Sequence, residues 1–308
     1  MVVPASPDAG HWGCFGFEVR SSCRFRFLRR GGGGEPLEIH ETSTDITAPD
    51  RALVAEWLLP DPATPVRARL YQEDGIFHFW AGDAGWFRID PAQRTIDLSV
   101  CDDDVRREQR LWGVPAVLCF MERGDFGLHA AAVEADGRAI LLAAPGRHGK
   151  TTLALGFHRM GYRLLTEDTT CCRLEPEPLL LPGPTSVRVR PDVFHGEAPP
   201  ATSIVSVRDD RIHLMLDADR AGDFRPVPIR AVVFLRGPAE RIRLERVEPG
   251  QALPDLWALN FHLQNTLARG RSFSQLARLA GHVTIWNLHR PLSLANLDDV
   301  VAAIVETC

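Results

Sequence analysis

Residues 138–152 read Arg138-Ala139-Ile140-Leu141-Leu142-Ala143-Ala144-Pro145-Gly146-Arg147-His148-Gly149-Lys150-Thr151-Thr152. From Ala144 onward they match a phosphate-binding loop: a small residue, four of any kind, then Gly-Lys-Thr. The apolar run before the loop has the length of a buried strand. Thr151 to Met160 reads as a helix with Leu153, Leu155 and Phe157 among its apolar positions, and Gly161 is its stop. Gly146 and Gly149 let backbone amides turn toward a phosphate at the helix start. Lys150 is the only lysine of the chain; the other 34 of its 35 basic residues are Arg. A compact ammonium fits between two phosphates where a planar guanidinium does not, so this lysine marks a position under chemical constraint. The loop implies a bound nucleotide, ATP or another nucleoside triphosphate, with Pro145, Gly146, Arg147, His148, Gly149, Lys150, Thr151 and Thr152 around its phosphates. The Thr151 hydroxyl is placed to hold Mg²⁺. A chance match in an Arg- and Gly-rich chain is the alternative, and the strand-loop-helix order around the only lysine speaks against it.

The 308 residues suffice for two ordinary domains or one elaborate one. A net charge of −5 and a pI near 6.1 argue against general nucleic-acid binding. No apolar run reaches membrane-spanning length, and the first 13 residues lack the basic start and apolar stretch of a signal peptide. The expectation is a cytoplasmic protein without a membrane partner. Seven cysteines at scattered positions form no zinc-spaced pairs, so reduced thiols are expected. Cys171 and Cys172 read as neighbours on a strand, facing opposite ways.

Residues 1–125 read as a β-rich subdomain ending in a helix, and residues 126–308 as the nucleotide-binding part. Residues 1–13 carry no pattern and are expected to be disordered. Phe15, Phe17 and Val19, then Phe25 and Phe27, alternate like strands. Arg29-Arg30 with Gly31 to Gly34 reads as a flexible hairpin tip rather than an RNA-binding run. Between Arg67 and Val100 four apolar alternations are separated by glycines and aspartates. Asp102, Asp103 and Asp104 complement the start of a helix over Val105–Arg123 rather than forming a metal cluster, and Gly113 and Pro115 kink or divide it. Beyond Pro184, strands are expected at Ser186–Arg190, Arg211–Leu216, Ala231–Leu235 and Val283–Leu288. Helices are expected at Leu253–Leu267, Phe273–Ala280 and Leu294–Glu306. This order is not doubly wound; it implies an α/β sheet with an antiparallel component.

A loop only holds a nucleotide; transfer also requires a metal ligand and a group that activates the acceptor. Glu167 and Asp168, ending the strand Tyr162–Thr166, are the candidates, against the alternative of a solvated strand end. His129 opens the preceding strand. The segments from His129 to Val133, Arg138 to Leu155 and Gly161 to Asp168 resemble the catalytic domain of HPr kinase/phosphorylase. That family has a strand-opening His, a phosphate loop, a helix ending at Gly and a strand ending in paired acids. The resemblance covers residues 127–175 well and the rest to the C-terminus loosely; the N-terminal part does not resemble that of the bacterial HPr enzymes. It implies an α/β P-loop kinase domain of the HPr kinase/PEP carboxykinase type behind a β-rich N-terminal subdomain.

Carried over by that resemblance, Lys150 neutralises β- and γ-phosphate charge and Thr151 and Asp168 hold the metal. Glu167 is then the base on the acceptor hydroxyl, and His129 supports the acids. The family has Asp where Glu167 stands, so the two carboxylates can exchange roles. The family's Glu-Arg-Gly-rich stretch is absent; Pro-rich residues 176–184 occupy its place. Divergent members tied to ribosomally made peptides, lasso peptides among them, look closer. The implied function is a Mg-ATP-dependent kinase acting on a Ser hydroxyl of a peptide or small protein. A small-molecule kinase and a non-catalytic nucleotide-sensing module are the alternatives, and homo-oligomerisation stays open.

Overall fold

Alternating burial along residues 76–99, with Phe77, Phe79, Phe87, Ile89, Ile96 and Leu98 inward, is what a sheet with one covered face requires. In the computed structural model, which describes residues 11–49, 53–59, 66–193, 197–208, 211–263 and 265–308, these strands belong to a nine-stranded sheet. Its lateral order is Arg29–Arg30, Trp12–Cys14, Phe17–Ser21, Glu35–Thr42, Thr95–Ser99, Gly85–Asp90, Ile76–Ala81, Val66–Glu73 and Leu53–Leu59. Glu35–Thr42 lies parallel to both its neighbours, and all other pairs are antiparallel. Helices Asp104–Leu111 and Val114–Glu122 cover it, divided at Trp112–Gly113 as the sequence suggested. The Asp103 side chain caps the first of them by accepting from the Arg106 N–H.

Three N-terminal expectations are corrected. Residues 1–10 lie outside the described residues, but Trp12 and Gly13 are strand, not disorder. Phe25 and Phe27 are buried loop residues rather than strand. Arg29 is no hairpin tip. Its guanidinium, 1% exposed, donates to the carbonyls of Gly183, Ala221, Leu164 and Leu165. Four acceptors from three distant segments fix a side chain that a Gly-rich context had suggested was loose.

The second sheet has eight strands: Arg138–Ala143, Phe126–Ala135, Thr169–Arg173, Leu179–Leu181, Val227–Pro238, Thr284–Arg290 and Arg243–Arg246 in order, with Arg163–Thr166 also paired to Phe126–Ala135. Val227–Pro238 runs parallel to both Arg138–Ala143 and Thr284–Arg290, while the other pairings are antiparallel. The expected mixed character is what the chain adopts. Ala131 and Val133 face a core with helices Lys150–Arg159 and Leu297–Thr307; Ala130 and Ala132 face the opposite core under helices Pro249–Leu259 and Thr266–His282. At Gly156 an added Cβ would meet Leu297 Cγ at 2.7 Å, so the loop helix and the C-terminal helix touch through a missing side chain. The expected helix Leu253–Leu267 ends instead at Leu259, where Asn260 is extended and spends its side-chain amide on the Gly127 carbonyl. Cys171 and Cys172 sit on a strand and enter different cores, as expected, and all seven cysteines are free. A third sheet joins Ser186–Val189, Ile212–Leu216 and Thr202–Val207. No helix among the described residues is long and apolar enough to cross a membrane.

Candidate functional site

The end of strand Arg138–Ala143 and the residues that follow it set the geometry. Arg147 (φ 66°) and Gly149 (φ 79°) adopt left-handed backbone conformations on either side of His148. Gly149 opens helix Lys150–Arg159 with no side-chain cap, leaving first-turn amides without intrahelical partners. Pro145, Gly146, Arg147 and His148 are exposed; His148 Nδ1 lies 2.9 Å from the Gly146 carbonyl, and nothing crowds a Cβ position at Gly146. Thr152 is half-buried in the first turn.

Lys150 is buried, and its ammonium donates to the carbonyls of Ala144 (2.8 Å) and Pro145 (3.1 Å). Its third contact is His129 Nε2 at 2.8 Å. An ammonium only donates, so Nε2 accepts and the neutral ring carries its proton on Nδ1, which lies 3.4 Å from Asp168 Oδ1. Burial lowers the His129 pKa; Asp168 resists that shift, and Lys150 and Arg188 add to it. The Lys150 pKa is also lowered by burial, against the pull of Asp168 and Glu167.

The paired acids occupy the link between strands Arg163–Thr166 and Thr169–Arg173, and pairing of both strands with Phe126–Ala135 carries them to His129. The Thr151 hydroxyl donates to Glu167 Oε1, whereas Asp168 faces His129. Arg188 bridges the pair, donating to Glu167 Oε2 at 3.3 Å and Asp168 Oδ2 at 2.7 Å. The pKa values of the two carboxylates are displaced in opposite directions. Burial dominates at Glu167 and raises its pKa, with Asp168 adding to the effect. At Asp168 burial is outweighed by Arg188, His129 and Lys150, and the pKa falls.

All the residues singled out in the sequence thus lie in one place. What the sequence reading did not place is Arg188 against the two acids. Its strand alternates with buried Val187 and Val189, which puts it on the polar face. Nothing in that alternation names its partners. A cavity of about 160 Å³ opens at the acids between Arg188, Trp112 and the aromatic side chains Trp57 and Phe79 of the nine-stranded sheet. A second, of about 510 Å³, lies beside His129 and Pro145, walled by Val117, Leu128, Phe234 and Phe261.

Among the described residues no three His, Cys, Asp or Glu side chains are grouped to hold a metal ion. Mg²⁺ needs only one or two protein oxygens and completes its shell with phosphates and water. Thr151 and Glu167 form such an oxygen pair.

No protein-family model matches the sequence, and no curated protein is significantly similar to it. Among solved structures, the chain is similar to the Hpr(Ser) kinase/phosphatase from Coxiella burnetii, at 12% identity and a TM-score of 0.31, over 59% of this chain and 94% of that one. A likeness of that degree assigns no function.

Proposed function

We propose that this chain is a P-loop phosphotransferase that moves the terminal phosphate of ATP to the hydroxyl of a Ser in a peptide or small protein. The observation that carries the reading is the meeting of the only lysine, the Thr151–Glu167 pair and the His129–Asp168–Arg188 cluster at the mouth of one phosphate loop.

In this reading the acids exchange the roles that the family resemblance implied. Glu167 and Thr151 would hold Mg²⁺, which supplies charge neutralisation on the phosphate oxygens when bound. Asp168, kept ionised by Arg188 and oriented by His129, accepts the proton of the acceptor hydroxyl. The acceptor oxygen forms its bond to the terminal phosphorus as the bond to the diphosphate breaks, and ADP departs. Lys150 follows the developing phosphate charge, exchanging its loop carbonyls for phosphate oxygens. Residues 1–125 take part in acceptor binding, because Trp57 and Phe79 wall the cavity at the acids.

The 510 Å³ cavity favours a second reading, a small-molecule acceptor, since cavities of roughly 300–1,000 Å³ suit such ligands. A non-catalytic sensor would need none of the acid cluster.

Transfer of labelled terminal phosphate from Mg-ATP to a Ser-peptide library and to a set of small alcohols distinguishes the three. Asp168→Asn is expected to bind Mg-ATP like the wild type and lose transfer by about a hundredfold or more. Glu167→Gln is expected to weaken the Mg²⁺ dependence of binding. The reverse pattern would restore Glu167 as the base and Asp168 as the metal ligand. Binding without transfer to any acceptor would leave the sensor.

A further inference from the structure

Strands Arg138–Ala143 and Thr284–Arg290 both run parallel to Val227–Pro238, so their carboxyl ends lie at the same edge of the sheet. The first of these ends carries the phosphate loop. The second ends at Arg290, which is 5% exposed. A Cβ added to Gly149 would stand 2.6 Å from Arg290 Nη2, which places the guanidinium against the residue that opens the loop helix. Gly149 is therefore glycine for two reasons, its left-handed backbone and this contact.

The other arginines of the interior have visible reasons to be there. Arg29 satisfies four carbonyls, Arg123 pairs with Asp125, Arg188 with the two acids, and Arg236 with Asp255 and Asn287. Among the described residues none accepts a hydrogen bond from the Arg290 side chain or forms an ion pair with it. Burial alone acts on its pKa, lowering it. A largely buried guanidinium with no protein partner is a donor set that an anion can fill. Beside it, the uncapped first turn of helix Lys150–Arg159 directs its free amides outward, an arrangement that favours the same ligand class.

We propose that Arg290 is a phosphate-binding residue, its guanidinium donating to a non-bridging oxygen of the polyphosphate that the loop amides and Lys150 hold. The assignment rests on the nucleotide reading of the loop and deepens it. A planar two-pronged donor from a separate strand complements the point charge of Lys150. It explains why an unpaired arginine is kept in a wall where an apolar residue would pack. It also couples the loop to the start of the C-terminal helix, which follows Arg290 within a few residues.

Calorimetric titration of Mg-ATP and of inorganic tripolyphosphate into the wild-type protein, Arg290→Met and Arg290→Lys tests this, together with thermal melts without ligand. Arg290→Met is expected to bind both probes about tenfold to a hundredfold more weakly, with Arg290→Lys in between. Without ligand, Arg290→Met should melt no lower than the wild type, because an unpaired charge has been removed. Wild-type affinity in Arg290→Met would overturn the proposal while leaving the nucleotide reading intact. Binding of tripolyphosphate but not Mg-ATP by the wild type would sink the nucleotide reading and keep the anion site. Binding of neither would end both. Should Arg290→Met fail to fold, the arginine Nε–H resonance that Arg290→Lys removes must shift on adding tripolyphosphate to the wild type, and an unmoved resonance refutes the contact.

Discussion

Glu108 is a single side chain on which stability should depend visibly. It is 3% exposed and accepts hydrogen bonds from the N–H groups of Arg26 and Phe27 and from the Trp112 indole. Burial nevertheless pushes its pKa up to about 7 against those donors. Between an unfolded value near 4.5 and about 7, the folded state keeps a proton that the unfolded state has released. Stability therefore falls as pH rises through that window and levels off above it. Denaturant titrations should show the wild type losing about 3 kcal/mol more than Glu108→Gln between about pH 4.5 and about pH 8; equal losses would refute the assignment. At this scale the sequence exposes type and position but not partners. Lys150 is legible because composition isolates it and the loop pattern surrounds it. Arg188 and Arg290 look like any other arginine, since their meaning lies in contacts across 20 and 141 positions of chain.

Elements are legible where one face is wet. The strands between Val66 and Ser99, the loop helix and the closing helix all announce themselves by period. Trp12–Cys14 and Arg29–Arg30 do not, being too short for alternation to register, and the edge strand Leu53–Leu59 does not because Leu-Val-Ala-Glu-Trp-Leu-Leu does not alternate. Helix Pro249–Leu259 is overrun by an apolar pattern that continues past its end, and only the Asn260 bond to Gly127 stops it. Arg29 joins the edge of the nine-stranded sheet to the acid-bearing strand through Leu164 and Leu165. Its pKa is pushed down to about 9, chiefly by burial, so the carbonyls rather than a charge partner retain it. Arg29→Met should cost about 3 kcal/mol by chemical denaturation, since it strands buried acceptors. A loss below about 0.5 kcal/mol would mean that water replaces the guanidinium freely.

For the whole molecule, the arrangement of sheets bears on reaction direction. Phosphorolysis of phosphoserine requires a second anion site beside the nucleotide. In the Pro-rich residues 176–184, Leu179–Leu181 is spent on sheet pairing and the Gly183 amide on the Leu165 carbonyl. Arg188 and Arg236, two further arginines that could serve an anion, are held by acids. Incubation with phosphoserine peptide, Mg²⁺ and inorganic phosphate is therefore expected to release no pyrophosphate, and HPr is not expected to be phosphorylated. Pyrophosphate release would place a second anion site elsewhere.

Calorimetric titration of Mg-ATP into the wild type, Lys150→Ala and Lys150→Arg tests most directly the claim on which the whole account rests, that the loop binds a nucleotide through Lys150. Lys150 is a charge partner rather than a packing residue, so both variants should keep the wild-type circular dichroism spectrum. Saturable binding by the wild type is expected, with Lys150→Ala and Lys150→Arg each weaker by about tenfold or more. Wild-type affinity in Lys150→Ala, or no binding by the folded wild-type protein, would contradict the account.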